Sequence, residues 1–312
     1  MKIKNGIHKD ISIDQYHDNK THYSTSGLKF AAKSMKHFWY YKQGMFEQTR
    51  KSHFDFGNAV ECSILEPDKF DDVVGVLPDF EYINEALSVN PKLKNPRASK
   101  VYKNLTDVFM IENKDKYIIN DKGTTESLEV IEHILNEVYA NKLVQKLIKN
   151  IDFQNSCFWT DKKTGINLKT RPDICKINQE IIVDLKCVRS TGPEDFNKTC
   201  ANNNYFLQAI MQIEGVIKSG LMKDVKAYYW LVVEKDPPYN VTLYRFHKGD
   251  WEPMRDYFKF ILHKVKGSAD KDFYPGYSER SSNKWGILDV KVPTWYAKNL
   301  DSYMENIEIP IT

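Results

Sequence analysis

Nothing in this chain approaches the roughly 20 consecutive apolar residues that a bilayer crossing needs; the longest apolar runs, such as Tyr228 to Val233, are far shorter. No membrane partner is expected. The opening MKIKNGIHKDISID also lacks the apolar stretch of a secretory signal, so the expected location is a cytoplasm. Cysteines at 62, 157, 175, 187 and 200 are odd in number and form no CxxC pair, which excludes a disulfide scaffold and a zinc ribbon. They suit a reducing compartment. None of the 8 histidines sits in an HxH or HExxH pattern, so zinc chemistry has little support. Excess charge is missing too. A formal net charge of +3 announces no polyanion binder by itself, although a local basic patch on a nearly neutral protein can still engage phosphates. There is no internal repeat and no low-complexity tail.

What is present is an ordinary folding composition: 312 residues, 41% hydrophobic and 28% charged, with 18 Tyr and 16 Phe for packing. Such a length can bury a full core. STSGL at 24–28 opens a packed helix over 24–44, capped by Ser24, Thr25 or Ser26, and a second covers 54–65 before Pro67. From 68 to about 124, Pro, Asn and Lys suggest irregular surface structure around one further helix. Apolar residues from Leu128 to Ile148 recur at spacings of three and four, giving one long helix or two short ones. The pattern then changes to period two. Strands are expected at 156–160, 167–177, 180–188, 227–234 and 241–246, with helices at 203–218 and 253–264. The reading is an α/β core with its strands in the second half, behind a largely helical first half.

The stretch NLKTRPDICKINQEIIVDLKCV reads as an antiparallel hairpin. If Asn178 and Gln179 are its loop, Asp173 stands directly across from Asp184, and opposed Cβ atoms there lie about 4.5–5.5 Å apart. Two facing carboxylates repel unless a proton or a cation intervenes. Period two puts Lys186 on the face of Asp184 and sends Val183, Leu185 and Cys187 to the other. A hard cation such as Mg2+ needs only one or two carboxylates plus substrate phosphate, and Arg171 shares the face of Asp173, where it can hold a neighbouring phosphate. Two plainer readings stand beside this one. A solvated ladder of Asp, Asp and Lys is common, and a three-residue loop would shift the register and separate the two aspartates. In the helix 203–218 the polar set Tyr205, Gln208 and Gln212 shares one side, opposite Phe206, Ile210, Ile213 and Ile217, and is either a functional edge or a solvent-facing one. Cys62, Cys175 and Cys187 read as small buried hydrophobes; Trp39, Tyr40, Tyr41 and Trp159 read as core or interface aromatics before they read as base-stacking ones.

The ordered set GNAVECSILEP (57–67), LKTRPD (168–173), IVDLKC (182–187) and YFLQA (205–209) resembles the PD-(D/E)xK nuclease superfamily, and within it the RecE-like exonucleases of the exodeoxyribonuclease VIII type found in phages and prophages. YSTSGLK (23–29) and VPTWYA (292–297) are similar to flanking motifs of that group, and the likeness is weakest from about 79 to 123. The resemblance implies a restriction-endonuclease-like α/β fold: a central mixed β-sheet flanked by helices, with a largely helical N-terminal region. It implies one nuclease domain over 1–312, with a mainly helical part at 1–150 that includes the Glu61 helix, a catalytic sheet and helix core at 151–265, and a C-terminal extension at 266–312.

By the same resemblance Asp173 and Asp184 are metal-binding acids, Lys186 is the catalytic lysine and Leu185 offers its carbonyl to the metal. Glu61 stands where these enzymes often carry a histidine, four residues after Gly57, and is expected to hold the ion directly or through water. Its spacing from Gly57 places both on one helix face, with Glu66 pointing elsewhere and the glycine allowing another backbone to approach. Gln208 matches the glutamine that orients water or substrate, and Tyr205 its preceding tyrosine. Gln212 replaces a common tyrosine in a substrate-binding position. The implied activity is Mg2+-dependent exonucleolysis of linear double-stranded DNA, with Mn2+ able to substitute, running 5′ to 3′ and leaving 3′ tails for recombination in a bacterial host. A ring-shaped homo-oligomer and a single-strand annealing protein are the implied partners. Rival expectations are a restriction or repair endonuclease using the same hairpin, and an inactive DNA-binding or structural protein that keeps the fold.

Overall fold

The structure is a computed structural model that describes residues 3–46, 52–149, 151–153, 155–280, 284–294 and 296–297, with the backbone alone at 53, 152, 153 and 280. Its strands are β1 (Gly6–His8), β2 (Val74–Leu77), β3 (Tyr117–Asn120), β4 (Asp152–Phe153), β5 (Ser156–Thr160), β6 (Asn167–Thr170), β7 (Ile174–Lys176), β8 (Ile181–Val188), β9 (Ala227–Glu234) and β10 (Val241–Arg245). Its α-helices are α1 (Ile13–Asp18), α2 (Thr25–Lys33), α3 (Met35–Lys42), α4 (Ser52–Leu65), α5 (Phe70–Val73), α6 (Asp79–Val89), α7 (Lys100–Glu112), α8 (Leu128–Ala140), α9 (Lys142–Ile148), α10 (Pro193–Asn202), α11 (Tyr205–Lys218) and α12 (Trp251–Asp270). None is long and apolar enough to cross a membrane.

Five strands form the central mixed sheet in the order β10-β9-β8-β7-β4. β8 and β9 are parallel and joined through α10 and α11, whereas β7 with β8, β9 with β10, and β4 with β7 are antiparallel. Alternation along β8 feeds two cores. Ile182 and Val188 enter one apolar cluster with residues of α2, α3, α10, α11 and α12; Val183 and Leu185 enter another with residues of α4, α8 and α9. Both faces of the strand are therefore covered, as the period-two reading of Val183, Leu185 and Cys187 against Asp184 and Lys186 requires. Gly215 seats α11 on the neighbouring sheet β1-β5-β6: a Cβ there would lie 2.4 Å from Thr170 Cγ2 and 2.8 Å from Trp159. Trp159 is accordingly a core residue.

Several expected elements divide. The helix expected at 24–44 is α2 and α3, separated by Ser34, whose extended backbone and side chain cap α3 through the His37 N–H at 3.2 Å. The long repeat at 127–149 is two helices. Asn141 ends α8, and its Oδ1 accepts from the Leu143 and Val144 N–H groups at 3.1 and 3.2 Å to start α9. The stretch 68–124 is more ordered than its composition suggests, holding α5, α6, α7 and the parallel pair β2-β3. The helix α10 was hidden in a polar sequence opened by Pro193 at its first position. The strand expected at 167–177 breaks at Arg171, Pro172 and Asp173, because proline has no N–H for the ladder; β6 stays in the three-stranded sheet and β7 joins the central one. In the expected C-terminal extension, Trp295 and residues 298–312 lie outside the described residues.

Candidate active site

The break before β7 is what positions the first acid. β7 and β8 pair as Ile174 with Val183, Cys175 with Ile182 and Lys176 with Ile181, the register in which Asp173 would next meet Asp184. The connection is longer than the two-residue loop considered above: a 3-10 turn over Ile177–Gln179 followed by Glu180 at φ 57, yet the register is unchanged. Asp173 has left the ladder, and its Oδ2 accepts the Leu185 N–H at 2.8 Å.

Asp184 is fully buried on the α11 side of the sheet. One carboxylate oxygen, Oδ1, accepts from Gln208 Nε2 at 2.9 Å and from Gln212 Nε2 at 3.2 Å; the other, Oδ2, pairs with the Lys186 ammonium. Each amide is itself held. The Tyr228 hydroxyl donates to Gln212 Oε1 at 2.7 Å, and Lys29 Nζ donates to Gln208 Oε1 at 3.3 Å, so both NH2 groups must turn toward Asp184. Lys186 also donates to the Leu185 carbonyl at 3.2 Å and lies 5.1 Å from the Tyr205 ring centre. Burial alone would depress its ammonium, but Asp184 and then Asp173 reverse this and raise it.

A cavity of about 380 Å³ opens beside this network, lined among others by Glu61, Asp173, Arg171, His17, Gln208 and Gln212. That is room for a nucleotide-sized group. Glu61 reaches it from α4, which packs with the other core, so the acids approach from opposite layers with Asp173 between them. Asp173 carries the electrostatic consequence. Burial, then the Glu61 carboxylate, then Asp184 push its acid well above the usual carboxylate range, against Lys186 and the Leu185 N–H.

The expected residues thus fall into two groups. Asp173, Asp184, Leu185, Lys186, Tyr205, Gln208 and Gln212 are joined through one network, while Glu61 and Arg171 stand on the cavity wall. Gln208 and Gln212 are not a solvent-facing pair. Gln212 is 2% exposed, with its amide oxygen held by Tyr228 and its amide nitrogen donating to Asp184, and it also lines the cavity. Arg171 also serves the fold, since its Nη1 donates to the Ile11 carbonyl at 2.9 Å and to Ser156 Oγ at 3.3 Å. Glu66, expected to point elsewhere, and Cys62, read as a small buried hydrophobe, both line the cavity; no described residue outside its own helix comes within 4 Å of a Cβ placed on Gly57, so no described backbone exploits that glycine. No disulfide forms among the described cysteines. The sequence reading passed over Tyr228 and Lys29, although Lys29 closes the quoted YSTSGLK motif and Tyr228 follows Lys226 and Ala227 at the head of a clear strand.

A family model described as "PDDEXK-like domain of unknown function (DUF3799)" matches residues 24–283. The chain belongs to this PDDEXK-like family. No curated protein matches it. Among solved structures it is similar to one from Eubacterium rectale named "Putative exonuclease", at 13% identity and a TM-score of 0.56, covering 96% of this chain and 100% of that one. A protein named SSO0001 is matched at 8% identity and a TM-score of 0.26, over 58% of this chain and 85% of that one, which carries no inference. The PDDEXK-like family and the shared fold bear out the expected α/β class, a central mixed sheet flanked by helices, and support a nuclease.

Nucleases of the PDDEXK type generally use divalent metal ions, and the donor set here suits a hard one. Glu61 and Asp173 bring carboxylates to one cavity, and the weakened acidity of Asp173, due to burial first and then to Glu61 and Asp184, reflects in part negative charge that a cation would relieve. The full expected ligand set does not close. Among the described residues no three His, Cys, Asp or Glu side chains gather as a group able to hold a metal, and Asp184 faces Gln208 and Gln212 with Oδ1 and the Lys186 ammonium with Oδ2.

Proposed function

We propose that this chain is a Mg2+-dependent exodeoxyribonuclease of the RecE-like type, hydrolysing linear double-stranded DNA from its 5′ ends and leaving 3′ single-stranded tails. One observation carries the reading: Asp173, Asp184 and Lys186 converge at one hairpin beside a cavity that Glu61 enters from the opposite layer. A bound divalent ion would supply charge neutralisation at the scissile phosphate and a more acidic water. Glu61, Asp173 and the Leu185 carbonyl would hold it, with Asp184 contributing Oδ2 once Lys186 moves to substrate. Lys186 then stabilises negative charge developing on the phosphate. Gln208 keeps Asp184 fixed and presents its amide to the cavity wall, and Arg171 adds positive charge near the neighbouring phosphate. Mn2+ is expected to substitute. A ring of identical subunits around DNA, and a single-strand annealing protein receiving the tail, complete the proposal.

The test is a time course on linear duplex labelled at the 5′ or the 3′ end, beside a closed circle, in Mg2+ and in chelator. Release from the 5′ label first, only with metal and only from linear DNA, is the expected result. Cutting of the closed circle would assign the site to an endonuclease, and binding without hydrolysis would leave a DNA-binding protein on the same fold.

A further inference from the structure

Lys29 stands apart from the other cation at this site. It is half-buried on α2, and among the described residues its ammonium makes no ion pair; its hydrogen bond goes to the neutral amide oxygen of Gln208. Lys186 by contrast is neutralised by Asp184. The two ammonium groups each lie 5.1 Å from the centre of the same Tyr205 ring. Burying a cation without a carboxylate partner is costly, and a second cation across one ring adds repulsion. Burial first, then Lys186, against the weaker pull of Asp184, bring the Lys29 ammonium down to about 8, so it is still mainly charged at neutral pH.

A charge kept under those conditions, bonded to a glutamine that lines a nucleotide-sized cavity, is suited to an anion that arrives with the substrate. The helix supports this direction. Thr25 and Lys29 are one turn apart on α2, and Thr25 and Ser26 both line the cavity, as does Gln208, to which Lys29 is bonded. We propose that Lys29 binds a phosphate of the nucleic-acid strand seated in the cavity, next to the phosphate held by Lys186. This rests on the nuclease reading and assigns a substrate contact that none of the recognised motif acids provides.

The experiment is equilibrium binding of a labelled short duplex in chelator, over a series of salt concentrations, to the wild-type chain, Lys29→Met and Lys29→Arg. Methionine keeps the stem against Tyr205 and removes the charge; Lys29→Gln replaces it if the methionine variant does not fold. Expected are a roughly 10-fold loss of affinity in the neutral variant, recovery in Lys29→Arg, and a salt slope lower by about one counterion. Duplexes with and without 5′ phosphates separate the sources: equal losses mark an internal phosphodiester, and a loss confined to the phosphorylated end marks a terminal phosphate. An unchanged salt slope with normal wild-type binding would overturn the proposal and leave Lys29 as a support for Gln208. Failure of the wild type itself to bind DNA would instead bring down the nuclease reading and this proposal with it.

Discussion

Gln208 and Asp184, 24 residues apart in the chain, are joined by a 2.9 Å hydrogen bond that couples α11 to the strand carrying the proposed lysine. With Gln212 on the same oxygen, the bond leaves Oδ2 as the one Asp184 atom for either Lys186 or a metal. The acid and the lysine should therefore behave as one unit. Lys186→Met strands a buried carboxylate and Asp184→Asn strands a buried ammonium; each is expected to cost about 3–5 kcal/mol in urea unfolding, with the double variant recovering at least ~2 kcal/mol of the summed loss. All three should lose turnover by at least ~100-fold, because charge placed for the reaction is gone. Simple additivity in unfolding would deny the pairing, and near-normal hydrolysis by folded Lys186→Met would deny the role.

Asp173 gives a test that does not depend on turnover. Its carboxylate is opposed first by burial, then by Glu61 and Asp184, so Asp173→Asn should make the metal-free protein slightly more stable than the wild type. Mg2+ should then separate them the other way. Ligand linkage predicts a gain of about 2.7 kcal/mol for the wild type at a hundred times Kd, and most of that gain should vanish in the variant. Thermal melts with Mg2+ and with chelator read both signs. An equal Mg2+ response in the two proteins would remove Asp173 from the ligand set.

Much of this site was legible because strand periodicity is a strict code. Period two alone sorted Asp184 and Lys186 from Val183, Leu185 and Cys187, and the pairing of Ile174 with Val183 follows from the hairpin reading. What failed was local. Pro172 broke a strand that hydropathy made continuous, and Ser34 split a helix through a side-chain cap that an apolar repeat does not register; at 127–149 the repeat left one helix or two open, and the Asn141 cap decides for two. Tyr228 and Lys29 were invisible for a different reason: their importance lies in which amide oxygen they meet, and that depends on how α2 and β9 pack against α11. The engagement of Asp184 by two glutamines likewise required knowing that α11 faces inward.

Lys169 offers a pH signature away from the chemistry. Its side chain is 3% exposed and its ammonium donates to the carbonyls of Tyr16 and, at 2.7 Å, Asn19, at the end of α1. Burial first and Lys20 second, against Asp18, bring it down to about 8, from 10.5 in the unfolded chain. The folded state therefore holds fewer protons than the unfolded one between those two values, and stability must rise with pH across that window. Its neighbours must be separated from it. His17 and His22, both lowered by burial and by Lys169 itself, titrate below the window; Tyr16 is raised by burial from 10.0 in the unfolded chain, so it works in the opposite direction only at the top of the window and does so in both proteins. The measurement is urea unfolding of the wild type and of Lys169→Met at pH 7, 8, 9 and 10. Methionine leaves two carbonyls without their donor, so the variant should be less stable throughout, and the gap should widen above pH 8 by at most about 1.4 kcal/mol per unit. A gap that stays flat from pH 8 to 10 would mean that the ammonium is as well stabilised in the fold as in water.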